Sequence, residues 1–315
     1  MGLRCEAAAY SHIGGRGNNE DNFFMNGVHL QREMLNQGGK CETEFRDDTQ
    51  LYAVCDGMGG ALYGEEASML AVESLKNYKA ICLQPETSGN LIKLLRQISA
   101  GINRLSESHG TRAGDSGSTI SMIILRERHF RTVNVGDSRV YRLRDGVLER
   151  LTKDHSQIQM MIDAGELTKE SAWRHPLKNV ITQHLGMPDV PGGLKPDISP
   201  RFELREDDRY LVCTDGLSDV VREEDIAAML AKDNTAAESA EELVKYALSE
   251  AEKLGVNSDN ITVVRLNVKE LGEKGGLLKK IRRLGLYKLM LGAAMALSLI
   301  ATVWIAAEII RFLIR

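Results

Sequence analysis

Two short apolar runs in this chain, residues 51–55 (LYAVC) and 209–213 (RYLVC), each lead into an acidic residue followed by glycine: Asp56-Gly57 and Asp215-Gly216. Runs of this length, rich in β-formers and bounded by a turn signal, read as buried strands rather than helices. Glu20-Asp21 opens a similar run (NFFM), and Asp259-Asn260 precedes another, residues 261–268. An acid mounted at a strand end is rigid and partly desolvated. Several such ends side by side are costly unless cations lie between them. Donors that are all oxygen favour hard ions, Mg²⁺ or Mn²⁺, over zinc. Taken singly, an Asp-Gly pair is usually only a turn, and Asp145-Gly146 is read as one; the joint position of the others at strand ends sets them apart. The seven histidines show no metal-ligand spacing. Neither a G-x-S-x-G elbow nor a phosphate-binding P-loop motif is present.

The rest of the body predicts an α+β fold. Residues 118–125, 130–135, 139–143 and 147–151 read as strands separated by short turns, with Asp145-Gly146 and Asn26-Gly27 as hairpin turns. These and the strands above predict an antiparallel meander. Residues 65–78, 91–106, 157–164 and 236–253 carry helical periodicity, the first through Ala67, Leu70, Ala71 and Leu75. Residues 165–204, which hold five of the six prolines, read as a less regular surface flap. Five cysteines without C-x-x-C spacing argue for reduced thiols, and no secretory signal is expected near Met1.

Charge divides the chain. The net charge of −4 hides a tail, residues 269–315, with nine Lys/Arg against three Asp/Glu. An acidic body offers no field for nucleic acid, and no nucleic-acid partner is expected. Within the tail, residues 289–307 (LMLGAAMALSLIATVWIAA) carry no formal charge. As a helix they would span about 28 Å, close to the hydrocarbon thickness of a bilayer. Lys279, Lys280, Arg282, Arg283 and Lys288 precede the run, and only Arg311 and Arg315 follow it. The positive-inside rule then leaves the body in the cytoplasm. The expected division is a body over 1–268, a basic juxtamembrane linker over 269–288, a single transmembrane helix over 289–307 and a short tail over 308–315, with the protein in the inner cell membrane.

Five motifs run in order: Arg16-Gly17-Asn18-Asn19-Glu20-Asp21, Asp56-Gly57-Met58-Gly59-Gly60, Gly136-Asp137-Ser138-Arg139, Thr214-Asp215-Gly216 and Ser258-Asp259-Asn260-Ile261-Thr262. In this the chain resembles bacterial members of the metal-dependent protein phosphatases of type 2C over residues 5–268. The resemblance implies a central antiparallel β-sandwich flanked by helices, in α-β-β-α layers, with two Mn²⁺ or Mg²⁺ ions at one end. It implies that Asp56 bridges both ions and that the Gly57 carbonyl serves one of them. Asp215 and Asp259 would bind the other ion, while Glu20 and Asp21 bind directly or through water. Arg16 would clamp the phosphate, a task suited to its planar fork of donors. Asp115 sits where bacterial members place a ligand for a third metal. The implied reaction hydrolyses phosphoserine and phosphothreonine on proteins through metal-activated water, without a phosphoenzyme, in opposition to a Ser/Thr kinase.

The chain departs from the family pattern at Met58, where some eukaryotic members carry His. It departs again at His12, where Asp is usual, and at Gln183-His184, which replaces a frequent Arg. None of these belongs to the implied inner ligand set, so activity is expected to survive. Two other readings stand beside the leading one: a catalytically silent module that recognises phosphoproteins at the membrane, and a phosphatase of small phosphate esters.

Overall fold

The computed structural model describes residues 2–58, 63–84, 87–173, 175–188, 190 and 193–271. In chain order the strands are β1 (Arg4–His12), β2 (Asp21–Met25), β3 (Val28–His29), β4 (Gly39–Arg46), β5 (Thr49–Met58), β6 (Gly117–Ser118), β7 (Ile120–Arg126), β8 (His129–Val135), β9 (Arg139–Arg144), β10 (Val147–Arg150), β11 (Asp197–Ile198), β12 (Phe202–Glu203), β13 (Arg209–Cys213) and β14 (Ile261–Glu270). The helices are α1 (Gly64–Ser74), α2 (Tyr78–Cys82), α3 (Thr87–Ser108), α4 (Gln157–Asp163), α5 (Lys169–Ala172), α6 (Asp215–Ser218), α7 (Glu223–Ala231) and α8 (Ala236–Leu254).

These strands form two antiparallel sheets. One runs β10-β9-β13-β14-β1-β4, the other β11-β8-β7-β5-β2-β3, with β12 added to β8 and β6 to the end of β5. Helices α1 and α3 cover the second sheet, and α8 with α7 covers the first. The expected layers are present. The expected single meander is not, because the strands of residues 118–151 are shared between the sheets. The hairpin β7–β8 lies in one and β9–β10 in the other, so the chain crosses the sandwich at Gly136-Asp137-Ser138. Both predicted hairpin turns form, with Asn26 at φ 51° and Asp145 at φ 51°.

Two strands were not legible in the sequence. In β1 (RCEAAAYSH) the alanines favour helix on propensity, yet the strand lies between β14 and β4. Ala7 and Ala9 face the core between the sheets, and Ala8 faces Ala240, Leu243 and Ala247 of α8. Small side chains there let the helix approach the sheet closely. In β4 (GKCETEFR) the alternating charges Lys40, Glu42, Glu44 and Arg46 are exposed on an edge strand, a pattern that blunts edge-to-edge pairing.

The predicted helix over residues 65–78 is broken into two. Ser74 Oγ donates back to Leu70 O at 2.7 Å, and a 3₁₀ turn at Leu75–Asn77 follows. Tyr78 restarts the helix as α2, its hydroxyl anchored on Thr49 O and Asn26 Oδ1. Helix α8 matches its predicted span to within a residue and carries a capping box, Thr235 with Glu238, and Gly255 at its C-terminal end. Strand β14 extends to Glu270, two residues into the predicted linker; residues 272–288 of that linker and residues 289–307 lie outside the described residues. Among the described residues no helix is long and apolar enough to cross a membrane. All five cysteines are free thiols.

Leu266 of β14 is fully buried in the core between the sheets. Leu266→Ala should cost about 3 kcal/mol of unfolding free energy, transfer loss plus residual cavity, measurable by urea unfolding of the full chain.

Candidate functional site

The pairing of strands gathers the acids at one end of the sandwich. Asp21, first residue of β2, lies opposite Asp56 near the end of β5 in one sheet. Asp215 follows β13 and Asp259 precedes β14, adjacent strands of the other sheet. Thr214 ties the two sheets together here, its hydroxyl donating to Asp21 Oδ2 at 2.8 Å. Thr119 brackets Asp56: the Asp56 N–H donates to Thr119 Oγ1 at 3.0 Å, and Thr119 N–H returns to Asp56 O at 2.8 Å.

Backbone packing holds the cluster in place, and the glycines act differently from the sequence-based expectation of a sharp turn. Gly57 remains inside β5, where a Cβ would lie 2.0 Å from Gly64 O and 2.6 Å from Glu20 O. Its role is close approach, letting the start of α1 and the Glu20 strand press against β5. Gly216 is packed the same way, 2.0 Å from Asn260 O. Asn260 organises the loop before β2: its amide donates to Ile13 O at 2.8 Å and Asn18 O at 2.9 Å, and its Oδ1 accepts from Glu20 N–H at 2.8 Å.

Electrostatics reports how crowded these charges are. Burial, with Asp21, Asp215 and Asp137 nearby, pushes the Asp56 carboxyl well above its usual 3.8. Burial does the same to Asp215, with Asp137, Asp219 and Asp259 adding to it; Asp215 is within hydrogen-bonding reach of Asp56. Asp21 is pushed up to about 7 by burial, against the opposing effect of Thr214 and Thr262. Glu20 is raised by burial and by Glu65. Asp21 Oδ1 and Asp215 Oδ1 are buried with no hydrogen-bond partner. Unpaired buried carboxylate oxygens are expensive. Among the described residues no three of these side chains close on one point as a finished metal cage. They stand as neighbours that repel one another. An all-oxygen set with orphaned, desolvated donors fits hard divalent cations.

The other predicted residues are placed as follows. Arg16 is on the exposed rim and donates Nη2 to Asp259 Oδ2 at 2.6 Å. Asp115 is exposed, and its Oδ2 accepts from Arg112 N–H at 2.8 Å. Gly59 and Gly60 lie outside the described residues. His12, the departure from Asp, accepts from Gly14 N–H through Nδ1 at 2.9 Å. Burial and Lys40 lower its pKa, which keeps that nitrogen an acceptor. Of the Gln183-His184 pair, Gln183 Oε1 accepts from Lys195 N–H, and Leu185 bridges to Ser118 of β6.

Sequence reasoning gave Asp137 no role. It occupies the crossover between sheets, and burial with Asp154 and Asp219 raises it to about 7. Its charge acts on Asp215 more strongly than that of any other acid. Its signal was the Gly136-Asp137-Ser138-Arg139 motif itself. Asn260, Thr119 and Thr214 carry no functional signal in the sequence, because their contacts are made with segments distant in the chain.

Residues 28–251 match the protein phosphatase 2C family. The chain belongs to that family. It is 37% identical over 223 residues to the serine/threonine protein phosphatase PstP of Mycobacterium tuberculosis, a match covering 70% of this chain and 40% of that relative. The chain thus spans less than half the length of that protein. It is 33% identical over 236 residues to the serine/threonine phosphatase stp of Listeria monocytogenes, covering 74% of this chain and 89% of the relative. The crystal structure of the PstP catalytic domain in complex with two manganese ions superposes with a TM-score of 0.67 at 31% identity, over 85% of this chain and all of that one.

Carboxyls raised in the folded state stabilise it below their unfolded pKa and lose that contribution as pH rises through the folded value. With divalent ions chelated, the melting temperature should therefore fall from about pH 4 to about pH 7 as Asp21 and Asp137 ionise in the unfolded chain first. Calorimetry across this range checks the sign; a chelated protein that gains stability over the interval contradicts it.

Proposed function

We propose that this chain is a membrane-anchored serine/threonine protein phosphatase that hydrolyses phosphoserine and phosphothreonine on proteins. The observation that carries the reading is the group of carboxylates Asp21, which is buried, and Asp56 and Asp215, which are partly buried, drawn from both sheets to one end with two buried oxygens left unpaired. Asp56 would hold both cations, with the Gly57 carbonyl serving one of them, and Asp215 with Asp259 would hold the other. Glu20 and Asp21 complete the set. A third cation would need Asp115 to give up its contact with Arg112 N–H. When bound, Mn²⁺ or Mg²⁺ supplies Lewis-acid charge and an acidified water for in-line attack on phosphorus.

The protein's own groups do the rest. Asp137 and Asp219 keep negative charge near Asp215 and would strengthen its hold on a cation. Arg16 is 54% exposed in its side chain and paired with Asp259. Its guanidinium is available to phosphate oxygens at the rim, and its fork of donors matches their geometry. Asn260 and His12 hold the loop that carries it. No thiol is a candidate nucleophile, since burial raises Cys55 and Cys213 far from neutrality.

Asp56→Ala and Asp215→Ala should each lower Mn²⁺-dependent release of phosphate from a phosphothreonine peptide by about 1000-fold or more. Both should remain folded, because each removes a strained buried charge. Full turnover by the Asp56 variant with metal supplied rejects the assignment. Parallel kinetics on peptides and small phosphate esters separates a protein phosphatase from a metabolite phosphatase. Complete inactivity of the wild type with retained phosphopeptide binding would favour the silent module.

The uncharged run at 289–307 and the basic residues before it support a single-pass anchor in the inner membrane, with the catalytic body cytoplasmic and facing the substrates of a Ser/Thr kinase. Deleting residues 289–315 should move the enzyme from the membrane fraction to the soluble one, with kcat/KM on a peptide unchanged. A deletion variant that stays with membranes counts against the anchor.

A further inference from the structure

The opposite end of the second sheet carries a different kind of charge cluster. Where β7 turns into β8, a cleft of about 120 Å³ opens between the hairpin and the junction of α2 with α3. Arg126, Arg131 and Arg201 line it together with His129, and Glu127 is its one acidic lining residue. Arg201 is carried there by β12, whose Phe202 pairs with Phe130 of β8. Two of the guanidiniums are held by uncharged acceptors: Arg126 Nη1 donates to Cys82 O at 2.5 Å, and Arg131 Nη1 to Ser88 Oγ at 2.6 Å. Among the described residues none of the three arginines is ion-paired, whereas Arg139, Arg142 and Arg144 on the neighbouring sheet each meet an acid.

Like charges left together in a partly dry cleft raise the energy of the protein until an anion joins them. Burial and Arg201 together lower the proton affinity of Arg131, the mirror image of the carboxylates at the other end. Helix α3 begins at the same cleft with Thr87, which lines it. The volume accommodates a tetrahedral oxyanion with one or two waters, at roughly 30 Å³ per water.

We propose that this cleft binds a phosphate-type oxyanion, at a site separate from the carboxylate centre. Seven residues of β5 separate Thr49 at this end from Asp56 at the other, which places the two sites about 23 Å apart. The anion has two sources of the same chemistry: inorganic phosphate released by the reaction, or a second phosphorylated residue of a substrate. An extended peptide must separate its two phosphates by at least about seven residues to reach both sites.

Equilibrium dialysis of the full chain with radiolabelled inorganic phosphate tests this. With Mg²⁺ the wild type should bind two phosphates, and after chelation one should remain. Arg131→Gln/Arg201→Gln should lose the chelation-resistant phosphate while its kcat on a singly phosphorylated peptide is unchanged. Arg201→Gln alone, at an exposed side chain with no hydrogen bond to lose, should weaken that binding about tenfold, the worth of one charge-assisted contact. No phosphate bound after chelation, or equal binding by wild type and both variants, overturns the proposal. A doubly phosphorylated peptide of adequate spacing distinguishes the sources. A KM about tenfold below that of the single phosphopeptide, erased in the double variant, assigns the site to phosphoprotein; equal KM values assign it to free phosphate.

Discussion

Repulsion among desolvated carboxylates at one end of the sandwich is the constraint around which the molecule is arranged. Asp21 and Asp137 are buried and Asp56 and Asp215 partly buried, and their proton affinities rise through desolvation and the charge of neighbouring acids. No fold collects such charge for its own stability. The two sheets hold it by covalent and hydrogen-bonded means: register fixes Asp21 opposite Asp56, adjacent β13 and β14 fix Asp215 beside Asp259, and Thr214 bridges the sheets. The cluster is thus a built-in demand for hard cations, met at a cost to the metal-free protein.

Around this centre the packing is close because small residues allow it. Ala7, Ala8 and Ala9 let β1 lie between α8 and the opposite sheet, and Gly57 and Gly216 let neighbouring backbones touch. Polar side chains then replace what sheets cannot supply. Asn260 alone fixes three points of the loop that delivers Arg16 and Glu20 to the rim. The departures at His12 and Gln183 fit the same scheme, since both satisfy local backbone N–H groups at the edge of the site. At the far end of the second sheet the sign of the surplus charge reverses, and arginines stand where acids stand here.

Much of this was legible in the linear chain. Strands with continuous apolar runs, such as β5 and β13, announce themselves because both faces are buried, and Asn26-Gly27 and Asp145-Gly146 announce their hairpins because both accept positive φ. Strand β1 did not, since alanine favours helix when neighbours are ignored. The break after Ser74 was hidden for a similar reason: the tyrosine hydroxyl that reaches Thr49 where the helix restarts makes a contact with no trace in periodicity.

By itself the sequence determined which acids sit at strand ends, and so which side chains are rigid, dry and available to a cation. It also determined the division between an acidic body and a basic tail bearing an uncharged run. Only the tertiary structure decided that those strand ends meet, and that Asp137 joins them from the crossover. Pairing order is the reason: local composition sets what a strand is, but which strand lies beside it depends on contacts between residues as distant as Asp21 and Thr214.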